Sequence, residues 1–426
     1  MNVWESTTKK EYKLFERRIL DIMLNELALY GGTPIRNKKI YYGKQSINEE
    51  DILAVENVLR SDWLTQGPKV LELENLLCKT FNSRYAVSAT NGTSALHLAC
   101  LAIGITAGDE VITSPFTFVA SANCIRYCGG IPVFADVLPN TYNIDPESVK
   151  KKITKKTKAV IAVDYAGQPA QLDELRLICN QYNLVLIEDA AHSLGSKYKN
   201  RYVGSIADIT TFSFHPVKTV TGGEGGAVLT NHTDYYKRLK LFATHGITKN
   251  HEEFTKADEG VGSWYYEQLS LGYNFRMTEM QAALIINQIK RLPFFKERRR
   301  YICKVYNDAF AKIKGIQIPF EMSDVDSCWH LYVIGIKEEI MGCDRKTFFD
   351  ALSAENVQPQ VHYIPVYYQP YYQELGYKRG ECPICEDIYN RILSLPLYPA
   401  MTDKDIEDVI GAVVKISDYF MKVKNK

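Results

Sequence analysis

Lys218 lies in a run of residues whose types could carry out carbonyl chemistry, Ser213-Phe214-His215-Pro216-Val217-Lys218, and glycines follow at positions 222, 223, 225 and 226. A lysine placed between a short apolar strand and such glycines is held at a pocket rim, where the backbone can approach a flat cofactor closely. This placement is typical of a lysine that forms a Schiff base. A solvated lysine beside an ordinary glycine turn has the same pattern, so the run alone leaves both interpretations open.

A carboxylate follows the apolar run at residues 184–187, where Glu188 and Asp189 precede two alanines. Open α/β sheets place ligand-binding groups at the carboxyl ends of their strands. An acid at that place could keep the ring nitrogen of pyridoxal phosphate protonated. Asp189 could equally be the N-cap of a helix that begins at Ala190, and the two roles compete for the same oxygens.

The segment at residues 90–98 is a glycine-containing turn that opens an amphipathic helix. The free N–H groups and the positive dipole end of such a helix bind phosphate, and the hydroxyls of Thr93 and Ser94 would add donors. A plain capped helix would look similar. The order along the chain, with a phosphate cradle first, then a strand-end acid and then a lysine, makes the combination more specific than any one part.

Through these three segments the chain resembles the DegT/DnrJ/EryC1/StrS sugar-nucleotide aminotransferases, from about Gly31 to Ile416. Further matching segments are residues 61–68 (SDWLTQGP), 115–118 (PFTF), 164–167 (DYAG), 271–276 (LGYNFR) and 395–399 (LPLYP). Within the family, residues 41–47 (YYGKQSI) and 264–267 (WYYE) resemble the branch that makes UDP-4-amino-4,6-dideoxy-N-acetyl-β-L-altrosamine for pseudaminic acid synthesis.

The resemblance implies catalytic roles for three residues. Lys218 would hold pyridoxal 5'-phosphate and then move a proton between the amino donor and the cofactor. Asp189 would pair with the protonated ring nitrogen. His192 would lie near the phenolic oxygen of the ring, although many histidines in such a place only bridge backbone groups.

The resemblance also implies a set of cofactor-binding residues. Phe118 would stack on the pyridine face, and an aromatic residue in this apolar context could also belong to the core. Ser213 would join Gly92 and Thr93 at the phosphate. Asn274 would reach the phosphate bound by a neighbouring subunit, which predicts a homodimer with shared active sites. A turn asparagine between two aromatic residues is the alternative.

The implied reaction transfers an amino group from L-glutamate to the C4 ketone of a UDP-linked 4-keto-6-deoxy-N-acetyl sugar, UDP-2-acetamido-2,6-dideoxy-β-L-arabino-hex-4-ulose. Arg276 is a candidate contact of the nucleotide diphosphate, or it could pair with a carboxylate in a later helix. A C4 aminotransferase of the perosamine or bacillosamine type would share every cofactor residue. The same fold also serves sugar 3-dehydratases, which have histidine in place of Lys218, and it could serve a non-catalytic ligand-binding regulator.

Composition agrees with an enzyme that binds neither nucleic acid nor membrane. The chain has 426 residues, of which 46% are hydrophobic, and this length predicts two lobes. Its net charge of +1 predicts no basic surface of the kind that binds nucleic acid. No stretch of eighteen apolar residues and no apolar signal-peptide core is present, so we expect the cytosol. The ten cysteines then indicate reduced thiols, and Cys382 and Cys385 alone are a weak signal for zinc.

Short apolar runs alternate with helical patterns between residues 87 and 229, which predicts an α/β fold with a mostly parallel sheet. The resemblance implies the fold type I of pyridoxal-phosphate-dependent aminotransferases. We expect a helical N-terminal extension at residues 1–30, a large cofactor-binding domain at 31–290 and a small α+β domain at 291–426. The last would include a strand at 330–334 and a helix at 345–355, after a long linking helix near 278–312. No G-x-G-x-x-G dinucleotide fingerprint lies between a strand and a helix.

Overall fold

The computed structural model describes residues 26–256 and 262–424, so most of the predicted N-terminal extension lies outside the described residues. Of its last residues, Ala28–Tyr30 form one turn of 3-10 helix. In the first half of the chain the strands are β1 (Tyr85–Ala89), β2 (Glu110–Thr113), β3 (Ile131–Phe134), β4 (Thr157–Val163), β5 (Val185–Asp189), β6 (Lys197–Tyr198), β7 (Arg201–Tyr202), β8 (Ile209–Ser213) and β9 (Gly226–Thr230).

Seven of these strands form the central sheet in the order β1-β9-β8-β5-β4-β2-β3. The five strands from β8 to β3 are parallel, and β9 is antiparallel to both of its neighbours. The prediction of a mostly parallel sheet is therefore confirmed. Six of the seven residues in β4 are buried, as expected for a strand whose two faces are both covered by helices.

The helices of the described residues are α1 (Glu49–Leu59), α2 (Pro68–Phe81), α3 (Gly92–Ala102), α4 (Ala120–Tyr127), α5 (Pro146–Lys152), α6 (Leu172–Tyr182), α7 (Thr233–Ala243), α8 (Glu279–Lys290), α9 (Leu292–Phe310), α10 (Glu338–Met341), α11 (Arg345–Ala354), α12 (Pro370–Glu374), α13 (Pro383–Arg391) and α14 (Asp403–Lys424). Among them, α3 and α7 pack on one face of the central sheet and α6 packs on the other. Ile161 and Val160, neighbours on β4, belong to two different buried clusters, because successive side chains of a strand point to opposite faces.

The C-terminal part of the chain builds a further core around a three-stranded antiparallel sheet. The remaining strands are β10 (Ile247–Thr248), β11 (Glu267–Gln268), β12 (Ile316–Gln317), β13 (Val325–Asp326), β14 (Tyr332–Ile336) and β15 (Ile392–Leu395), and the order in this sheet is β12-β14-β15. Helices α9, α11 and α14 contribute to its buried cluster. The division into domains at residue 290 stays a prediction.

Three predicted elements lie in this C-terminal region. The long helical stretch near residues 278–312 is confirmed in extent, but it consists of two helices, because α8 and α9 meet at Arg291. Pro293 lies in the first turn of α9, where its missing N–H breaks no helical bond. The predicted strand is displaced by two residues and begins at Tyr332. The predicted helix at 345–355 is confirmed and ends at Ala354.

The described part of the chain gives no sign of a membrane span or a metal centre. None of the helices in residues 26–256 and 262–424 has the length and apolar character needed to cross a bilayer. No cluster of histidine, cysteine and carboxylate side chains in the same ranges is suited to hold a metal ion. Cys382 and Cys385 are both buried free thiols.

Candidate active site

A cavity of about 700 Å³ lies at the carboxyl ends of the central strands. The ends of β4, β5 and β8 and the first turn of α3 form one side of it, and the loop at residues 360–364 forms the other. Seven of the eight predicted site residues line this cavity, namely Gly92, Thr93, Phe118, Asp189, His192, Ser213 and Lys218. The fold therefore brings together three segments that are far apart in sequence.

Lys218 lies in the loop that follows β8, where its backbone N–H donates to the carbonyl of His215 at 2.9 Å. Its ammonium group makes no hydrogen bond or ion pair with the described residues. Burial lowers the pKa of Lys218 to about 8, and the negative charge of Asp189 acts in the opposite direction. Near pH 8, roughly half of this amine is neutral and able to attack a carbonyl carbon.

Asp189 is the last residue of β5 and is buried. Its Oδ2 accepts a hydrogen bond from the hydroxyl of Ser121 at 2.6 Å, and its Oδ1 accepts one from the N–H of Ala191 at 3.2 Å. Burial raises the pKa of Asp189, while these two hydrogen bonds and the charge of Lys218 lower it. The described residues after β5 form turns and no helix begins at Ala190, so the helix N-cap alternative is wrong.

His192 is buried between the two sides of the cavity. Its Nδ1 accepts a hydrogen bond from the N–H of Ala166 at 3.3 Å, and its Nε2 lies 3.1 Å from the hydroxyl of Tyr363. Burial holds the pKa of His192 well below its usual value, and the positive charges of Lys218 and His362 add to this effect. The side chain is therefore neutral at physiological pH.

The first turn of α3 faces the cavity with unpaired backbone donors. The side chain of Asn91 accepts from the N–H of Ser94 at 2.8 Å, and the carbonyl of Asn91 accepts from Ala95 at 3.1 Å. The N–H groups of Gly92 and Thr93 precede these and have no acceptor among the described residues, as at any helix start. The hydroxyl of Ser94 pairs with Thr90 and does not line the cavity, unlike our expectation for this residue.

Gly92 packs against Ser213 at the end of β8. A Cβ atom built on Gly92 would lie 2.8 Å from the Cβ of Ser213 and 2.9 Å from its Oγ, so only glycine fits there. This close approach brings the Ser213 hydroxyl beside the start of α3. The two segments together form a cradle of backbone N–H and hydroxyl donors, which suits a phosphate group.

Phe118 is 57% exposed and forms part of the cavity wall, so the alternative of a core aromatic residue is wrong. The centroid of its ring lies 6.2 Å from that of Tyr363 across the cavity. An exposed aromatic face of this kind is available to a flat ligand.

Asn274 does not line the cavity of its own chain, and its side chain is exposed. Its backbone pairs with Thr244 in an isolated antiparallel bridge. The side chain of Asn274 is thus exposed on the surface, as a contact with a second copy would require.

Arg276 makes no hydrogen bond or ion pair with the described residues. The alternative prediction, that Arg276 pairs with a carboxylate in the linking helix, is therefore not seen.

The model of the DegT/DnrJ/EryC1/StrS aminotransferase family matches residues 45–414, which is most of the chain. The chain belongs to this family. Family membership makes it a pyridoxal-phosphate-dependent sugar aminotransferase of fold type I, which excludes a non-catalytic regulator.

Named relatives agree with the family assignment. The chain is 41% identical to the Bacillus subtilis spore coat polysaccharide biosynthesis protein SpsC, over 89% of this chain and 97% of that protein. Helicobacter pylori PseC, an aminotransferase involved in the biosynthesis of pseudoaminic acid, shares 32% identity and a TM-score of 0.83, with 90% of this chain and all of that one covered. The PLP form of the putative sugar aminotransferase Spr1654 from Streptococcus pneumoniae has 29% identity and a TM-score of 0.82, over 90% of this chain and 99% of that one.

The cavity of this family member fits pyridoxal phosphate by its own chemistry. Gly92 and Ser213 form the donor cradle, Asp189 is a buried carboxylate and Lys218 is an amine with a lowered pKa. The donor cradle suits the phosphate, the carboxylate suits the protonated ring nitrogen, and the amine suits the carbonyl.

Sequence reasoning missed several groups that line the cavity or support it. The hydroxyl of Thr117 is bonded to Ser121, 2.8 Å away, and so extends the hydrogen bonds of Asp189. Tyr363 and His362 come from the loop at 360–364, and Tyr42 comes from a segment near the start of the chain. No spacing rule could have identified them, because each belongs to a separate region of the chain.

Proposed function

We propose that this sugar aminotransferase transfers the amino group of L-glutamate to the C4 ketone of UDP-2-acetamido-2,6-dideoxy-β-L-arabino-hex-4-ulose, in pseudaminic acid biosynthesis. The similarity to H. pylori PseC over 90% of the chain supports this substrate. The segments at residues 41–47 and 264–267 agree with it, since they resemble the branch that forms the altrosamine product.

The observation that carries the reaction type is the pairing of Lys218 with Asp189 in one cavity. Pyridoxal phosphate, when bound, supplies a carbonyl that takes up the donor's amino group and a ring that draws negative charge away from the reacting carbon. Lys218 would hold the cofactor through its neutral amine and would carry a proton to or from the reacting carbon. Asp189 holds the proton of the ring nitrogen, oriented by Ser121 and by the N–H of Ala191.

The remaining cofactor contacts follow from the cavity walls. Gly92 and Thr93 bind the phosphate through their N–H groups, and Ser213 adds its hydroxyl. Phe118 presents its exposed ring to the cofactor face. His192 lies at the edge where the phenolic oxygen of the ring would be.

We further propose that the active form is a homodimer in which Asn274 completes the phosphate site of the partner. The exposed position of Asn274, outside its own chain's cavity, supports this. Large apolar side chains in the sequence segment before it are also exposed, with Trp264 at 79% and Leu271 at 81%. A surface of this kind is expected to be covered by another molecule. The cytosol as the place of action stays a prediction.

A second candidate substrate has support of its own. The chain is 41% identical to a spore coat polysaccharide biosynthesis protein, which supports a role in the synthesis of another polysaccharide. The second candidate is therefore another 4-keto-6-deoxy nucleotide sugar, and we take it to be of the perosamine or bacillosamine type. The cofactor residues would be the same in both cases. Only contacts to the sugar and to its nucleotide would differ.

The deciding experiment is a comparison of substrates with the purified enzyme and L-glutamate. The proposed L-arabino sugar, its D-xylo epimer at C5 and a GDP-linked 4-keto-6-deoxymannose are each supplied, and products are identified by mass spectrometry and NMR. We expect the L-arabino sugar to react fastest, because a displacement of C4 by ~1 Å costs on the order of 10²-fold in rate. Equal rates for the two epimers, or preference for the GDP sugar, would reject this substrate and leave the aminotransferase assignment intact.

A further inference from the structure

The hydrogen bonds of His192 define which of its ring nitrogens carries the proton. The backbone N–H of Ala166 can only donate, so the Nδ1 atom that it contacts at 3.3 Å must be unprotonated. His192 is buried, and its lowered pKa keeps it neutral. A neutral imidazole has one proton, and in His192 that proton is therefore on Nε2.

This assignment gives the next hydrogen bond a direction. The Nε2 of His192 lies 3.1 Å from the hydroxyl of Tyr363, and because Nε2–H is a donor, the phenol oxygen is the acceptor. The hydroxyl proton of Tyr363 is then free for another acceptor. No second hydrogen bond of this hydroxyl is found among the described residues, and Tyr363 lines the cavity.

The ring of Tyr363 is held in place independently of its hydroxyl. It stacks on His192 with centroids 5.9 Å apart, contacts His362 edge-on at 4.9 Å and faces Phe118 at 6.2 Å. The ionisable groups around it are Tyr42, Asp189, His192 and His362. Burial raises the pKa of Tyr363, with Tyr42 and Asp189 adding to the effect, so the phenol stays protonated and can serve as a donor.

We propose that Tyr363 is a catalytic residue that donates its hydroxyl hydrogen bond to the ring oxygen of bound pyridoxal phosphate, and that His192 acts through it as a positioning residue. This inference rests on the proposed function, since it assumes that Phe118 contacts the face of the cofactor ring and that Lys218 holds the cofactor. It changes the role first expected for His192. The N–H of His192 is used by Tyr363, so the donor at this edge of the cavity comes from the loop at 360–364.

The test uses the apoenzyme and pyridoxal phosphate alone. The visible absorbance of the bound cofactor is titrated with pH in the wild type and in Tyr363→Phe, which keeps the ring and removes the donor. A donor to the ring oxygen stabilises negative charge there and favours the deprotonated form of the bound cofactor. Its loss should move the titration midpoint to higher pH by about one to two units.

Two further variants separate this role from a structural one. Tyr368→Phe removes a hydroxyl from the same aromatic cluster without touching the cavity, and its midpoint should match the wild type. His192→Asn keeps an acceptor near the Nδ1 position and removes Nε2–H, so the midpoint should move in the same direction as in Tyr363→Phe, by a smaller amount. Nitrogen-15 NMR of labelled histidine should show the Nε2–H tautomer for His192.

Several results would overturn the proposal. An unchanged midpoint in Tyr363→Phe would do so, as would a full shift in His192→Asn with none in Tyr363→Phe, or an Nδ1–H tautomer at His192. Failure of the proposed cofactor attachment has a different signature, because Lys218→Ala would then keep the visible band of the wild type. The two failures are thus distinguishable in one set of spectra.

Discussion

The two walls of the cavity are built in different ways. The wall at the central sheet presents Asp189 from a strand end and Gly92 from a helix start. Each of these segments has a supporting bond that is local in sequence, to Ala191 and between Asn91 and Ser94, and Asp189 also accepts a long-range bond from Ser121. The opposite wall presents His362 and Tyr363 from a loop. The two bonds that hold His362 are long-range: the hydroxyl of Tyr165 donates to the carbonyl of His362 at 2.5 Å, and Ser394 contacts the Nδ1 of His362 at 2.8 Å.

The difference indicates that the wall at the sheet holds the reacting groups, whereas the loop wall influences the rate at which they react. Groups on strand ends and helix starts are fixed by regular backbone, so the acid and the phosphate donors are reliably placed there, and Lys218 lies in the loop that follows β8. Groups on the loop depend on the packing of the C-terminal part against the sheet. Substitutions in the first wall should abolish turnover, whereas those in the second should alter its rate by smaller factors.

The largest effect is expected for Lys218→Ala. Loss of both the nucleophile and the proton carrier should reduce kcat by ~10⁴ or more, since proton transfer by itself commonly contributes about 10² to 10⁴. The visible band of bound pyridoxal phosphate should also disappear. Lys218→Arg is the matched control, because it keeps a positive charge but cannot supply a neutral amine. Turnover retained in Lys218→Ala would contradict the assignment of this residue.

Asp189→Asn should have the next largest effect. The shape and the hydrogen bond from Ala191 can persist, but the charge that holds the proton on the ring nitrogen is lost. We expect cofactor to bind while the half-reaction with L-glutamate slows by about 10² to 10³, the range for removal of one electrostatic contact in an active site. Rapid-mixing absorbance measurements follow that half-reaction directly. A rate close to the wild type would show that Asp189 only shapes the turn after β5.

The lowered pKa of Lys218 predicts how capture of the cofactor depends on pH. The folded protein has an amine with a pKa of about 8, below its usual value, so the neutral form increases as pH rises through 8. The rate of pyridoxal phosphate capture by the apoenzyme should therefore rise about tenfold per unit below that midpoint. Because the charge of Asp189 raises the pKa of Lys218, Asp189→Asn should move the midpoint to lower pH. A shift to higher pH would be inconsistent with this electrostatic coupling.

A mixture of inactive subunits tests whether the first wall is complete within one chain. Lys218→Ala and Asn274→Ala subunits are mixed and allowed to exchange. If Asn274 serves the partner's site, hybrids contain one intact site, and equal mixing should restore roughly a quarter of wild-type activity. Native mass spectrometry establishes that hybrids form. Hybrids without activity would place Asn274 at the site of its own chain.

The smallest effect is expected in the loop wall, for Ser394→Ala. Ser394 is buried, and its loss leaves the Nδ1 of His362 without that partner, which should lower the free energy of unfolding by about 1–2 kcal/mol. Activity should fall by a factor of a few. Ser353→Ala, which removes a helix-surface hydroxyl far from the cavity, is the control and should match the wild type in kcat. A loss of activity comparable with that of Asp189→Asn would remove the proposed difference between the walls.

The sequence was sufficient to predict the first wall because its groups lie beside regular elements. The apolar run before Asp189, the glycine turn before α3 and the glycines after Lys218 each have a local physical meaning. The central strands were predicted for the same reason, since buried parallel strands are short apolar runs. The helical stretch at 278–312 was predicted in extent, but its break into two helices at Arg291 was not, because the apolar pattern continues through that residue.

The sequence by itself determined which residue types are present and in which order the groups of the sheet wall follow one another. It also determined the family resemblance from which the cofactor and the reaction were predicted. Only the tertiary structure decided that Ser121 orients Asp189, that turns rather than a helix follow β5, and that Tyr363 faces Phe118. It also decided the tautomer of His192, through Ala166. These contacts are between residues that are distant in the chain. Because tertiary packing rather than local propensity determines them, they could not be predicted from any single segment of the sequence.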